Sequence, residues 1–196
     1  MLCASVGIVI RKTSLSSQKY IVLDKQYGRI DVLVRGSSVG IGSLVQYSLE
    51  KKKALYVIGD IRILYIPISL GSIDLLFFHH VCELIYYFVP IGSCVVGLFD
   101  LLAFLYTSEH MLESVKFKKF FLLRLFTLLG IDPGLEGSIA ARIGFLSRMK
   151  MHDFRNDLID GAIEKEMDKW LWLCMWQHPY VHEFKTVHFL EKNRAV

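Results

Sequence analysis

The chain has 196 residues, of which 53% are hydrophobic and 21% are charged, and its formal net charge is +4. This composition supplies ample apolar side chains for a buried core and excludes an intrinsically disordered chain. Residues 1–70 carry ten basic and four acidic residues, whereas residues 71–196 carry thirteen basic and fifteen acidic ones. The positive charge of the N-terminal part predicts a polyanionic partner.

Six short runs of alternating apolar and polar residues occupy the first 66 positions and predict β-strands. They cover residues 6–11, 20–24, 29–35, 44–50, 55–58 and 61–66. Glycines between the runs mark turns. Five or six short strands that close on themselves predict an OB-like or SH3-like barrel, and the OB-fold is a common module for binding single-stranded nucleic acid.

From Pro67 onward the apolar residues follow a helical period. Helices are predicted over residues 74–89, 97–107, 115–129 and 162–176, whereas residues 134–160 are weakly patterned. Ser114 is a suitable N-cap for the third helix, and Gly130 with Pro133 ends it. The predicted fold class is therefore α+β, with an N-terminal OB-fold β-barrel in residues 1–70 followed by an all-α helical bundle in residues 71–196.

The apolar middle of the chain is too short and too interrupted for a membrane span. Its longest uncharged stretch, residues 84–99, has sixteen residues and is interrupted by Pro90, Gly92 and Gly97. Because a spanning helix needs about 20 predominantly apolar residues, no membrane span is predicted. The N-terminus lacks the basic start of a secretory signal, so we expect a cytoplasmic protein. A membrane-associated helical protein that uses residues 61–129 is the alternative.

No residue spacing typical of an enzyme or a metal site is present. The four cysteines contain no C-x-x-C pair, which argues against a zinc site, and Pro179 separates His178 from His182. No nucleophile lies at a suitable spacing from a base, and the acidic residues of 153–168 alternate with basic ones as on a solvated surface. The sequence therefore predicts no catalytic residue, no metal and no cofactor, and a small enzyme is the least favoured class.

Cationic and aromatic side chains alternate along the predicted barrel, a mixture that suits phosphates and stacked bases. The candidate DNA-binding residues are Arg11, Lys19, Tyr27, Arg29, Arg35, Lys51 and Lys52. Arg35 is the strongest candidate, because it occupies an outward-facing strand position. Lys51 and Lys52 lie at a predicted hairpin tip, where lysines either contact phosphate or keep edge strands soluble. Scattered surface charge on a soluble barrel is the alternative for the whole set.

The order of several short strings along the chain resembles that of one family, the bacterial recombination mediator RecO. The strings are GIVIR (7–11), YGRI (27–30), VRG (34–36), LVQYSL (44–49), LFDLL (98–102), FLLRLFTLLGIDP (121–133) and the closing segment 178–193. The resemblance implies an OB barrel followed by a helical bundle. Many relatives carry a four-cysteine zinc module after the Gly-x-x-Pro stop, but residues 134–147 contain no cysteine, so no zinc is expected here.

The same resemblance implies a non-enzymatic activity and a set of partners. Such a protein binds single-stranded DNA, anneals complementary strands coated with single-strand-binding protein, and helps to place RecA together with RecR. In the predicted third helix Lys116, Lys119, Phe120 and Arg124 suggest an apolar groove with a basic rim, which suits an acidic, hydrophobic peptide. The resemblance identifies that peptide as the C-terminal tail of single-strand-binding protein. Ordinary surface lysines and adsorption to a membrane surface are the alternatives.

Overall fold

The computed structural model describes residues 2–14, 17–36, 38–52, 55–66, 72–108, 111–134 and 138–184. The chain divides into two compact units, Met1–Thr107 and Ser108–Val196. This division follows Thr107 and not residue 70, because the two helices after residue 70 belong to the first unit. The α+β class, with an N-terminal five-stranded sheet followed by helices, is confirmed.

The sheet of the first unit closes into a ring of strands. The strands are β1 (Leu2–Lys12), β2 (Lys19–Asp24), β3 (Gly28–Val34), β4 (Leu44–Lys52) and β5 (Leu55–Tyr65), in the spatial order β1-β2-β3-β5-β4. All pairings are antiparallel except that of β3 with β5, which is parallel and consists of Val32–Tyr56, Leu33–Val57 and Val34–Ile58. This short parallel contact closes the barrel.

Two predicted strands, 55–58 and 61–66, form the single long strand β5. Gly59 and Asp60 lie where the two runs meet, and Asp60 has a φ of 49°. The register between β4 and β5 shifts between Gln46 and Ser48, so the irregularity is absorbed in the ladder without ending the strand. A β-bulge can bend a strand in this way while the pairing continues on both sides.

Alternate residues of the strands fill the barrel. The interior cluster consists of Val9, Tyr20, Val22, Ile30, Val32, Val34, Val39, Val45, Tyr47, Leu49 and Ile58, each no more than 5% exposed. Because side chains of a strand alternate between its faces, the residues between these positions point outward. The predicted inward face of β3, made of Ile30, Val32 and Val34, is confirmed.

Two helices complete the first unit, α1 (Ser72–Phe88) and α2 (Leu98–Phe104), and α2 continues into a 3-10 turn over Leu105–Thr107. Both helices contact β1. Outward-facing Ile8, Ile10, Ile21 and Leu23 on β1 and β2 are all at most 7% exposed. The outer side of these two strands is therefore a second apolar layer and not a free surface.

The loop between α1 and α2 is hydrogen-bonded to the start of β3. The Arg29 N–H donates to the Ser93 carbonyl at 3.2 Å, and the Gly92 N–H donates to the Arg29 carbonyl at 2.7 Å. Gly28 has a φ of 69°, and a Cβ at this position would lie 2.0 Å from the Ser93 oxygen. Only glycine fits here, since both the backbone angle and the space exclude a side chain.

The second unit contains the helices α3 (Val115–Leu128), α4 (Ser138–Leu146) and α5 (Gly161–Trp176). Ser114 caps α3 by accepting from the Phe117 N–H at 3.3 Å, and Gly130 ends it with a φ of 71°. Helix α4 lies in the segment whose pattern was weak. Among the described residues, no helix is both long enough and apolar enough to cross a bilayer.

Candidate nucleic-acid interface

Three charged side chains form a row across the outer face of the barrel, which we call the Arg35–Glu50–Lys52 row. The Glu50 Oε2 atom lies 3.8 Å from Arg35 Nη2 and 3.3 Å from Lys52 Nζ. Arg35 directly follows β3, where its N–H donates to the Ile58 carbonyl at 3.0 Å, and its side chain is 63% exposed. The parallel β3–β5 contact thus places an arginine from one strand beside the carboxylate of β4.

Two tyrosines lie together beside Lys51, the residue between Glu50 and Lys52 on β4, and we call them the tyrosine pair. The ring centroids of Tyr27 and Tyr56 are 6.0 Å apart, and the Lys51 Nζ atom lies 5.7 Å from the centre of the Tyr56 ring. Both rings are partly buried against the interior cluster. The nearby Cys3 thiol, together with partial burial and Asp24, raises the pKa of the Tyr27 hydroxyl. The Tyr27 ring therefore stays a neutral aromatic surface.

A buried carboxylate fixes the turn that carries Tyr27. Asp24 is 1% exposed. Its Oδ1 atom accepts the N–H groups of Gln26 and Tyr27 at 2.7 and 2.8 Å, and its Oδ2 atom accepts the hydroxyls of Ser5 and Tyr47. Burial, followed by the neighbouring Asp24, raises the pKa of Tyr47. Four donors thus satisfy a charge that would otherwise be costly to bury.

These contacts bring four of the seven predicted DNA-binding residues into two groups: Tyr27 and Lys51 lie around Tyr56, and Arg35 and Lys52 lie around Glu50. Lys51 and Lys52 are neighbours on β4, so their side chains point to opposite faces of the sheet, Lys51 toward the tyrosine pair and Lys52 toward Glu50. Lys19 is exposed at the start of β2, opposite Leu33 on β3. Arg11 is exposed, but its guanidinium lies 4.1 Å from the centre of the Tyr86 ring on α1, away from the row.

The structure places Arg29 apart from the exposed cations of the barrel. Arg29 is only 8% exposed, and its Nη1 atom donates to the carbonyl oxygens of Tyr86 and Val89 at the end of α1. Burial lowers the pKa of its guanidinium. The strand alternation correctly placed Arg29 outside the barrel interior, but α1 covers that position, so the side chain joins a strand to a helix.

Two of the α3 residues predicted to line a peptide groove, Lys119 and Phe120, belong to the core of the second unit. The Lys119 side chain is 2% exposed, and its Nζ atom lies 2.8 Å from carboxylate oxygens of both Glu164 and Asp168 on α5. Phe120 is fully buried and stacks on Phe154 with the ring centroids 4.9 Å apart. The apolar floor expected for a partner is covered by the protein's own residues.

The other two predicted groove residues make bonds within the same unit. The Lys116 Nζ atom donates to the Ile159 carbonyl at 2.7 Å, and the Arg124 Nη1 atom donates to the Ser147 carbonyl. Burial lowers the pKa of Arg124. Lys116 and Arg124 are half-buried and fasten α3 to the segments that precede α5 and follow α4.

Tyr56 was missed by the sequence interpretation. Its position was recognised as a strand, but the pattern could not show that Tyr27, 29 positions earlier, lies beside it. The weak clue was an aromatic residue within a few positions of Lys51 and Lys52 in a hairpin. In the part of the chain that the structure describes, no three histidine, cysteine or acidic residues are grouped as metal ligands.

No protein-family model and no curated protein matches the chain. Among solved structures, the chain is similar to silver-bound CusF residues 10–88 from Escherichia coli, at 14% identity over 33% of this chain and 94% of that chain, with a TM-score of 0.30. A second structure, of Ag(I)CusF, matches at 15% identity over 32% and 97%, with a TM-score of 0.27. TM-scores this low do not establish a shared fold.

Proposed function

We propose that the protein is a non-enzymatic accessory factor of DNA repair and recombination. In this proposal the N-terminal barrel binds single-stranded DNA, promotes annealing, and helps to place RecA together with RecR in the cytoplasm. The observation that carries the binding step is that Glu50, Lys51 and Lys52 are consecutive on β4, where Glu50 and Lys52 belong to the exposed charged row and Lys51 lies beside the tyrosine pair. The sequence resemblance to RecO supplies the biological process.

The strand arrangement supports assigning the barrel to the OB-fold as part of this proposal. An OB-fold is a five-stranded Greek-key barrel, and its ring is closed by strands that are not consecutive in sequence. Here β1 pairs with both β2 and β4, and β3 pairs with β5. Barrels of this kind bind oligonucleotides on strands β2 and β3 and on the loops that flank the barrel.

The helical cover restricts where a strand of DNA would bind. The outer side of β1 and β2 is apolar and buried, and Arg29 on β3 is bonded to α1. The end of β3 and strand β4 carry Arg35, Lys51 and Lys52. We therefore place the DNA path across the Arg35–Glu50–Lys52 row and the tyrosine pair.

Two kinds of interaction would act along this path. When the logarithm of the binding constant is plotted against the logarithm of the salt concentration, the slope is negative. For single strands, each phosphate that pairs with a lysine or arginine adds about 0.7 to its steepness. Each base that stacks on a tyrosine adds about 1–3 kcal/mol with little dependence on salt. The two contributions can be separated, because cations and rings come from different residues.

The test is a fluorescence anisotropy titration with a labelled oligothymidylate of about 16 nucleotides, the upper site size of one OB barrel. We expect the Arg35→Gln/Lys52→Gln variant to bind more weakly and to have a smaller salt slope. Tyr56→Leu should weaken binding and leave the slope unchanged. Arg62→Gln is the matched control, since Arg62 is an exposed arginine on β5, six positions beyond Tyr56.

An unchanged affinity of Arg35→Gln/Lys52→Gln at all salt concentrations would contradict the interface. Equal losses in this variant and in Arg62→Gln would show a general charge effect without a defined path. If the wild-type protein does not bind the oligonucleotide at low salt, the DNA-binding proposal itself is wrong. If the wild-type protein does bind, a strand-annealing assay with the same variants extends the test from binding to activity.

For the peptide partner, the second unit offers a different surface from the predicted one. A cleft of about 310 Å³ is lined by residues of α4 and α5, including Arg142, the 65% exposed Phe145 and Ile163. An acidic peptide with an apolar end, such as the proposed tail of single-strand-binding protein, suits this combination. Phe145→Ser should weaken binding of such a labelled peptide, whereas Arg155→Gln, an exposed control, should not.

A further inference from the structure

We propose that Glu50 is a competitor for the DNA phosphate that is built into the binding surface and sets its affinity. This inference rests on the proposed function and adds a role for the one acidic residue of the Arg35–Glu50–Lys52 row. Its carboxylate lies within ion-pair distance of both cations, at 3.8 and 3.3 Å. A phosphate that approaches either cation therefore meets a group of the same charge.

The position of Glu50 on the barrel makes this arrangement a property of the fold. Glu50 lies in the interior of β4, where it is opposite Leu2 on β1 and Val57 on β5. Its neighbour Leu49 points into the interior cluster, so the carboxylate must point outward. The backbone of Glu50 is thus held by hydrogen-bonded strands on both sides, whereas Arg35 lies just beyond the end of β3.

The exposure of the three side chains makes the exchange energetically feasible. The Arg35 and Lys52 side chains are 63% and 49% exposed, and Glu50 is 32% exposed. Ion pairs with this much contact with water contribute little stability and exchange partners readily. A DNA phosphate can therefore take over both cations while the Glu50 carboxylate turns to solvent.

The consequence is a weaker and less salt-dependent interaction than the cations alone would give. While Glu50 stays close, its negative charge offsets one of the two positive charges of Arg35 and Lys52. The phosphate therefore meets a net positive charge of about one. Removing its charge should raise the number of effective phosphate contacts by about one, which steepens the salt slope by about 0.7. The affinity should rise by about fivefold, as expected for losing a competing exposed ion pair.

The experiment compares Glu50→Gln with the wild-type chain in the oligothymidylate titration at several salt concentrations. Asp100→Asn is the matched control, because it removes the same charge from an exposed residue of α2, outside the row. We expect tighter binding and a steeper slope for Glu50→Gln and less than about a twofold change for Asp100→Asn. In the Arg35→Gln/Lys52→Gln background, Glu50→Gln should have little further effect.

The outcomes separate this inference from the proposed function. If the wild-type chain binds the oligonucleotide but Glu50→Gln binds equally well or more weakly, Glu50 positions the cations and the inference is wrong. Equal gains in Glu50→Gln and Asp100→Asn would also overturn it, because net charge would then explain both. If neither the wild-type chain nor Glu50→Gln binds at low salt, the DNA-binding function fails together with the inference.

Discussion

The Arg29 guanidinium lies 4.7 Å from the centre of the Tyr86 ring and donates to the carbonyl oxygen of the same residue. It also donates to the Val89 carbonyl. The last carbonyls of a helix have no partner within the helix and carry a partial negative charge, so a buried guanidinium satisfies them well. Arg11 lies 4.1 Å from the same ring, so Tyr86 contacts two arginines of the barrel.

Replacing Arg29 by methionine should destabilise the protein by about 1–3 kcal/mol, because the two carbonyls lose a charged donor. Urea unfolding measures this loss, and Arg62→Met, on the exposed side of β5, should change stability by less than about 0.5 kcal/mol. Under conditions in which both variants are folded, Arg29→Met should bind the oligonucleotide like the wild-type chain. A selective loss of DNA affinity would instead place Arg29 in the interface.

Replacing Lys119 by methionine should destabilise the second unit by about 3 kcal/mol, since Glu164 and Asp168 would be left near each other without their cation. Adding Glu164→Gln and Asp168→Asn to the same chain should recover part of the loss. Thermal and urea unfolding measure both effects. Lys165→Met removes an exposed lysine of α5 and should have little effect; a similar loss there would contradict an origin in the buried ion pairs.

Replacing Gly28 by alanine should cost more than replacing Gly130 by alanine. The two glycines have φ values of 69° and 71°, so the backbone strain is similar, about 1–2 kcal/mol. At Gly130 no atom lies within 4 Å of an added Cβ, whereas at Gly28 the Ser93 oxygen is 2.0 Å away. Urea midpoints give the difference. Equal losses would show that the loop moves away without cost.

Asp160 should make stability depend on pH in the acidic range. Its carboxylate caps α5, and the hydrogen bond from the Ile163 N–H, assisted by Arg142, lowers its pKa below the ordinary value of 3.8. The ionised form is therefore favoured in the folded state, so the stabilisation is present above pH 3.8 and is lost as the pH falls through the lowered pKa.

The check for Asp160 is the melting temperature of the wild-type chain and of Asp160→Asn as a function of pH. Asparagine is also a good N-cap but has no charge to titrate. The difference between the two melting temperatures should therefore shrink as the pH is lowered through this range. A difference that stays constant down to the most acidic point would contradict the assigned pKa shift.

The alternation of apolar residues was sufficient to predict the barrel strands, because side-chain direction in a strand depends on parity alone. It predicted the inward face of β3 and the outward position of Arg29. It could not predict that α1 would cover Arg29, since that depends on a contact with residues 57 positions later. The same limit applies to Lys119, whose two carboxylate partners lie 45 and 49 positions further along the chain.

Helix ends were predicted where capping residues are distinct. Ser114, Gly130 and Pro179 mark ends that the structure shows within a few residues. Helix α4 was missed because it is only nine residues long and lies between segments with polar residues and short 3-10 turns. The tyrosine pair joins a turn to a strand that are distant in sequence, and local spacing carries no information about such a meeting.

The brevity of the parallel contact between β3 and β5 has a consequence for how the barrel opens. Only three residue pairs hold this seam, whereas the β1–β4 ladder has seven. Short ladders open at lower free energy than long ones, so backbone amides along the seam should exchange with deuterated solvent before those of β1. Arg35 directly follows this seam, so local opening of the barrel would begin next to its guanidinium.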